Sequence, residues 1–231
     1  DPTGASEAVP YQALGLFKHE AVAVDPATGQ VYLSEDEGDG RFYRFTPTSV
    51  ANGKPDLKAG KLEVAQVGGD GAVSWHEVPD PLYAGALPTR EQVAASTAFE
   101  GGEGIVFFDG TIYLATKGDN KVWAFDIAAQ KIAVHYDAAT AANPILKGVD
   151  NLTVSCCGDV LVAEDGDDML VVAILPVGTL KALLQIEGHS GSEITGPAFD
   201  PTGTRLYLSS QRGPGGGITY EVSGPFHLPA G

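Results

Sequence analysis

Carboxylates recur at one kind of place along this chain. Glu20 closes the charged triplet Lys18-His19-Glu20 just before the alternating run Ala21-Val22-Ala23-Val24, and Glu103 stands in "GGEG" before Ile105-Val106-Phe107-Phe108. Asp150 and Asn151 precede Leu152-Thr153-Val154, and Glu193 precedes "ITGPAF". A second polar set follows the next apolar run in each case: Glu35-Asp36, Lys117-Gly118-Asp119-Asn120, Glu164-Asp165 and Ser210-Gln211-Arg212. Carboxylate and amide oxygens gathered from separate segments suit hard cations such as Ca²⁺, and ferric iron also accepts carboxylates. Without a cation the same gathering is repulsive and raises carboxylate pKa values. A single-loop site is excluded, because an EF-hand pattern started at Asp36 meets Gly38 at its third position, and one started at Asp165 meets Met169 at its fifth. Any cation must therefore be held by several loops at once. Lys18, His19, Lys117 and Arg212 are the candidate groups for contacting an anion or supporting the ligands. Arg212 precedes "GPGGG", backbone that can close on an anion or simply form a loop tip.

The elements that must position these residues repeat. Residues 18–45, 102–126, 149–175 and 192–222 each read as polar residue, strand, Gly-containing turn, strand, polar loop, strand. Further strand candidates, "KLEVAQV" and "VSWHEV", "KIAVHYD" and "LKALLQIEG", follow the first three. Repeats of roughly 40 to 50 residues with three or four short strands are the signature of β-propeller blades. The expectation is one all-β propeller domain over 1–231, with modules at about 18–79, 102–140, 149–188 and 192–226 and an insertion at about 70–99. It is either a ring of four blades or part of a larger six-bladed ring. "VPYQALGLF" reads as an outer strand that closes the ring on the last blade or belongs to a blade lying upstream, and "TREQVAASTAF" is the best helix candidate. First strands line a propeller's channel, so Glu20, Glu103 and Asn151, with Asp150 beside it, open at one rim. Glu193 falls two positions earlier in its copy, a shift that preserves the strand face.

Thirty acidic against fourteen basic residues give a net charge of −16, and no basic run occurs, which argues against a nucleic-acid partner. The longest apolar run, "MLVVAILPVG", is too short for a membrane span. No signal-peptide pattern opens the sequence. Cys156 and Cys157 are neighbours in "SCCGD" and cannot staple distant elements; two ordinary thiols at a hairpin, or a vicinal disulfide, are the two readings. Glu37, Asp39, Asp167 and Asp168 read as solvated turn formers.

Taken together, "FKHEAVAVDPATGQVYLSEDEGDGRFYRFTP", "GGEGIVFFDGTIYLATKGDNKVWAFD", "VDNLTVS" with "VLVAEDG", and "SEITGPAFDPTGTRLYLSSQRG" resemble the PhoX-type alkaline phosphatases, particularly shorter actinobacterial relatives. The resemblance implies an extracytoplasmic β-propeller whose axial cluster of calcium and iron binds and hydrolyses phosphate monoesters. It implies metal-ligand roles for Glu20 and Glu103, with Asp150, Asn151 and Glu193 as further members. Family members also carry Asn-Cys-Ala-Gly-Gly and Cys-Glu-Glu segments ahead of the matched region, and neither occurs in these 231 residues. The chain is then expected to be either the later part of a larger propeller, completed by an N-terminal segment or a second chain, or a shortened relative with a reduced site. Two functions follow: a metal-dependent phosphomonoesterase, weakly active as this chain, or a non-catalytic calcium-stabilised propeller that binds a small anionic ligand or a protein.

Overall fold

Every module turns its alternating runs into an antiparallel sheet. The computed structural model describes residues 4–5, 7–166, 168–213 and 215–226. The first blade contains β1 (His19–Val24), β2 (Val31–Glu35) and β3 (Phe42–Pro47), then a small hairpin of β4 (Val50–Ala51) and β5 (Lys54–Pro55), then β6 (Gly60–Val67) and β7 (Val73–Glu77). The second has β8 (Gly102–Phe108), β9 (Thr111–Thr116), β10 (Lys121–Asp126) and β11 (Lys131–Asp137). The third has β12 (Val149–Val154), β13 (Val160–Glu164), β14 (Leu170–Ile174) and β15 (Leu180–Gln185), and the fourth β16 (Ile194–Phe199), β17 (Arg205–Ser210) and β18 (Ile218–Ser223). Sheet order follows chain order in each blade, β4 and β5 standing apart. The inner strands lie side by side in sequence, β1 against β8, β8 against β12 and β12 against β16. This is a β-propeller arrangement, and among the described residues β16 does not pack along β1 as the other neighbours do.

Turn chemistry fixes the hairpin that joins the first two strands. In the first blade Asp25 Oδ1 accepts the Ala27 N–H, Oδ2 accepts the Thr28 hydroxyl, and Gly29 N–H closes on the Asp25 carbonyl. Asp200 does the same in the fourth blade with Thr202, Thr204 and Gly203. Between blades the apolar faces interleave. Tyr32, Phe42, Phe99 and Phe125, with the half-buried Trp75, meet edge-on between the first and second blades, and each of the four buried rings contributes on the order of 2 kcal/mol. Val122, Val160, Val162 and Val172 join the second to the third, and Leu161, Val171, Ile194 and Leu206 the third to the fourth.

Two expectations are corrected at the periphery. Gln12–Leu14 is a single 3-10 turn, not an outer strand: Ala13, Leu14 and Phe17, with Leu57 and Val93, cover the apolar outer face of the first blade formed by Val31, Leu33, Tyr43, Phe45 and Leu62. Only Thr89–Glu91 of the predicted helix 89–99 is helical, again 3-10. Its remaining backbone is claimed by tertiary partners, with Thr97 N–H donating to the Ala65 carbonyl, Phe99 N–H to the Gly40 carbonyl, and Thr97 Oγ1 accepting from Val67 N–H. Such bonds compete with helix formation where the sequence offers β-branched and hydroxyl residues. Among the described residues no helix is long and apolar enough to cross a membrane. Cys156 and Cys157 form no disulfide at the β12–β13 turn, where their Sγ atoms lie 3.8 Å apart.

Candidate functional site

A β-bulge occurs at the start of every inner strand. Ladder pairing breaks between His19 and Val22, between Gly102 and Ile105, between Val149 and Leu152, and between Thr195 and Ala198. A bulge re-aims the side chains beside it. The first pairs of the four ladders are His19 with Glu35, Gly102 with Thr116, Val149 with Glu164 and Ile194 with Ser210, so Glu20, Glu103, Asp150 and Thr195 correspond, but Thr195 still pairs with Ser209 and the break in the fourth blade falls one residue later. Asp150, not Asn151, is thus the counterpart of the two glutamates, and Glu193 lies two residues ahead of Thr195. Backbone bonds repeat the match: N–H groups of Asp36, Lys117, Asp165 and Gln211 donate to the carbonyls of Lys18, Gly101, Gly148 and Glu193.

Glycines set how deeply Glu103 is buried. A Cβ on Gly102 would sit 3.0 Å from the Glu35 carbonyl oxygen, and one on Gly104 would sit 2.6 Å from both the Asp150 oxygen and the Leu152 nitrogen. The glutamate between them is therefore wedged between its neighbours, with its backbone carbonyl accepting the Ser34 hydroxyl at 2.6 Å, and it is 4% exposed. Glu20, with no such flanking pair, is exposed.

Lys117 stands at the centre of the cluster. Its Nζ lies 2.7 Å from Asp165 Oδ2, 3.2 Å from Glu103 Oε1 and 3.3 Å from Asp150 Oδ2. Asp165 continues outward, its Oδ1 3.5 Å from the Arg212 guanidinium, which also reaches Glu193 Oε2 at 3.2 Å. Burial, followed by the charge of Asp150, pushes the Glu103 carboxyl up to about 8, although Lys117 opposes the shift. Burial also raises Asp150. Glu20, though exposed at its surface, is raised by partial desolvation among its neighbours and then by Asp150, Asp36 and Glu193, and Glu193 is raised by burial and then by Asp150 and Asp165. Burial lowers the Lys117 ammonium, but the hydrogen bond to Asp165 and the charges of Glu103 and Asp150 outweigh it and hold Lys117 above its ordinary value.

Other candidates lie elsewhere or are already engaged. His19 bonds the Gly15 carbonyl at 3.0 Å and stacks on Phe17, and Lys18 pairs with Glu37 at 2.9 Å. Asn151 donates to Asp150, and its carbonyl oxygen accepts from Gly196 N–H at 2.8 Å and Thr195 Oγ1 at 3.3 Å, so it ties the third blade to the fourth. Glu35 and Glu164 are structural. Glu35 accepts from Arg41 N–H and Tyr43, and Glu164 from Lys147 N–H at 2.7 Å and Leu170 N–H at 3.0 Å, which ties down the following loop. Ser210, with His189 and Ser192, fills the same position in the fourth blade. Asp39 pairs with Arg90, and Asp167 lies outside the described residues. Sequence reading missed Asp165 as the bridge between the two cations; the signal was its place directly after the last residue of the second strand of its blade, Glu164, a staple that ties down the following loop, and Lys117 shares that place after Thr116.

The donor set is all carboxylate, and Cys156 and Cys157 lie at the far end of β12, so the residues present suit a hard cation and not a soft one. Among the described residues no group of three or more histidine, cysteine, aspartate or glutamate side chains is arranged to hold a metal ion as it stands. An ammonium, itself a stand-in cation, occupies the point on which three carboxylates converge.

Fold and site together define a β-propeller with an acidic rim at one end of its channel. The chain belongs to the alkaline phosphatase PhoX family, which matches residues 1–121. No curated protein matches it. Among solved structures it is similar to the extracellular domain of a protein described as a one component system from B. thetaiotaomicron, at 10% identity and TM-score 0.45, over 84% of this chain and 25% of that one. The chain thus spans a quarter of that relative's length. It is also similar to a luciferin-regenerating enzyme, at 15% identity and TM-score 0.45, over 92% of this chain and 94% of that one. A third likeness is to a gluconolactonase from Xanthomonas campestris, at 16% identity and TM-score 0.40, over 86% and 85%.

Proposed function

We propose that this chain supplies the axial face of a metal-dependent, PhoX-type phosphomonoester hydrolase acting outside the cytoplasm. The observation that carries the reading is the set of equivalent bulged positions in a chain of this family. These positions and their neighbours gather Glu20, Asp36, Glu103, Asp150, Asp165 and Glu193 against two cations, Lys117 and Arg212. Glu20, Glu103, Asp150 and Glu193 would hold calcium, with iron as the second metal the family resemblance implies. Bound metal supplies Lewis-acid polarisation of the phosphoryl group. The protein's own contribution is to orient: Arg212 presents a planar fork of donors suited to phosphoryl oxygens, and Lys117 a point charge beside it. A protein of charge −16 repels a phosphate ester unless cations reverse the local sign, which supports a metal requirement.

The test is hydrolysis of a chromogenic phosphate monoester after loading with calcium and iron, with calcium binding followed by titration calorimetry. Weak turnover that needs metal and is lost in Glu103→Gln supports the hydrolase. Calcium binding without turnover, with or without the upstream segments of the family, supports the non-catalytic alternative. Absence of both sinks the metal reading.

A further inference from the structure

Lys117 is placed in an unusual way for a surface ion pair. Its backbone is fixed, because its N–H donates to the Gly101 carbonyl at 2.8 Å and the next N–H, of Gly118, donates to the Glu100 carbonyl at 2.9 Å. Its stem reaches across from the second blade to the third. Glu103 and Asp150 are buried, yet the Lys117 side chain is 41% exposed, so its ammonium enters the cluster from the solvent side. Three carboxylate oxygens, on β8, on β12 and just after β13, lie 2.7 to 3.3 Å from that one nitrogen. Calcium takes oxygen ligands at about 2.3 to 2.6 Å, so a contraction of a few tenths of an ångström at Asp165 and of roughly 0.6 to 1 Å at Glu103 and Asp150 would turn this ammonium shell into part of a calcium shell. One site cannot hold both cations.

Resting on the metal-dependent reading above, we propose that Lys117 is a tethered counter-ion which competes with the metal: it closes the cluster when no metal is bound, and metal binding expels its ammonium to the open side of the rim. The expelled group lies on the same side as Arg212, with which it already shares Asp165. Loading the metal therefore frees the charge that an incoming phosphoryl anion needs, and anion affinity becomes conditional on metal. Only the stem has to move, since the backbone of Lys117 is held by the two bonds to the preceding loop. Reciprocity follows: an anion that engages the free ammonium tightens metal binding by the same factor.

The experiment follows two signals that do not depend on turnover. Terbium luminescence, with calcium competition, reads metal affinity in the wild-type chain and in Lys117→Met, which keeps the stem and removes the charge. Mass spectrometry after brief treatment with an amine-acetylating reagent reads the accessibility of Lys117 in the wild type, with and without calcium. The expected results are a metal affinity at least about tenfold tighter in Lys117→Met, within the span that coupling commonly covers, and a rise in Lys117 acetylation on adding calcium. Inorganic phosphate should bind the calcium-loaded wild type more tightly than calcium-loaded Lys117→Met. Equal metal affinity in the two proteins, or calcium-independent acetylation of Lys117, overturns the proposal and leaves the metal-dependent reading standing. No metal binding by either protein overturns both. If Lys117→Met does not fold, the acetylation result in the wild type decides.

Discussion

Replacing Glu103 by glutamine isolates the cost of crowding carboxylates at the rim. Glutamine keeps the volume of the side chain and an oxygen for Lys117, but removes the charge. The Glu103 carboxyl is pushed from 4.5 to about 8 in the folded chain, so the folded state holds this proton more tightly than the unfolded one. Stability linked to that proton is fully present below about pH 4.5 and is lost as pH rises through about 8. Three to four pH units at about 1.4 kcal/mol each set an upper value of about 4 to 5 kcal/mol, which is shared with Asp150 because the two groups interact. For a chain of this size that corresponds to a melting temperature up to about 20 °C lower at pH 9 than at pH 5. Glu20, Asp150 and Glu193 are raised as well and act with the same sign. The assay is calorimetric melting of chelator-treated protein from pH 5 to 9, in the wild type and in Glu103→Gln. The wild type should fall more steeply with pH than the variant, and calcium should flatten the wild-type curve. A metal-free wild type whose melting temperature is level or rises over this interval, parallel to the variant, would refute the assignment of a desolvated, crowded Glu103.

Further outcomes follow from the packing. Gly104→Ala places a methyl group 2.6 Å from the backbone of the third blade and should cost about 1 to 3 kcal/mol or more, measured by denaturant unfolding. Glu164→Ala leaves the N–H groups of Lys147 and Leu170 without their acceptor and should cost about 2 kcal/mol, with faster hydrogen exchange in the 165–169 loop. Cys156 and Cys157 should both react with a thiol reagent under native conditions, and Cys156→Ser should leave the unfolding free energy within about 0.5 kcal/mol of the wild type.

What could be read in the sequence was whatever repeats at short range. Alternation and Gly-containing turns, two of them opened by Asp-Pro, marked the strands, because period and turn chemistry are local properties of the chain. Acidic residues at strand starts were visible for the same reason. Their correspondence between blades was not fully visible. A bulge adds a residue without marking the sequence, so Asn151 looked equivalent to Glu20 until the pairing of Val149 with Glu164 set the register on Asp150. Glu35 and Glu164 looked like members of the acidic rim, but their carboxylates turn to the backbone of the loops that follow, a choice that depends on three-dimensional proximity. The failure of the helix at 89–99 has the same origin: its hydrogen-bonding groups found partners on β6 and beside Gly40 that no window of sequence contains.

The shared bulge has a consequence for how such a protein can change over evolution. Three blades contribute one side chain to the rim from the position after the first ladder pair, and the ladder resumes past it whatever that side chain is: glutamate in two blades and aspartate in the third, while Thr195 of the fourth stays in the ladder opposite Ser209. The scaffold therefore separates the residues that close the sheet from those that set the chemistry. One codon per blade can alter the charge, reach and ligand number of the rim, while the staple residues one strand away keep the loops in place.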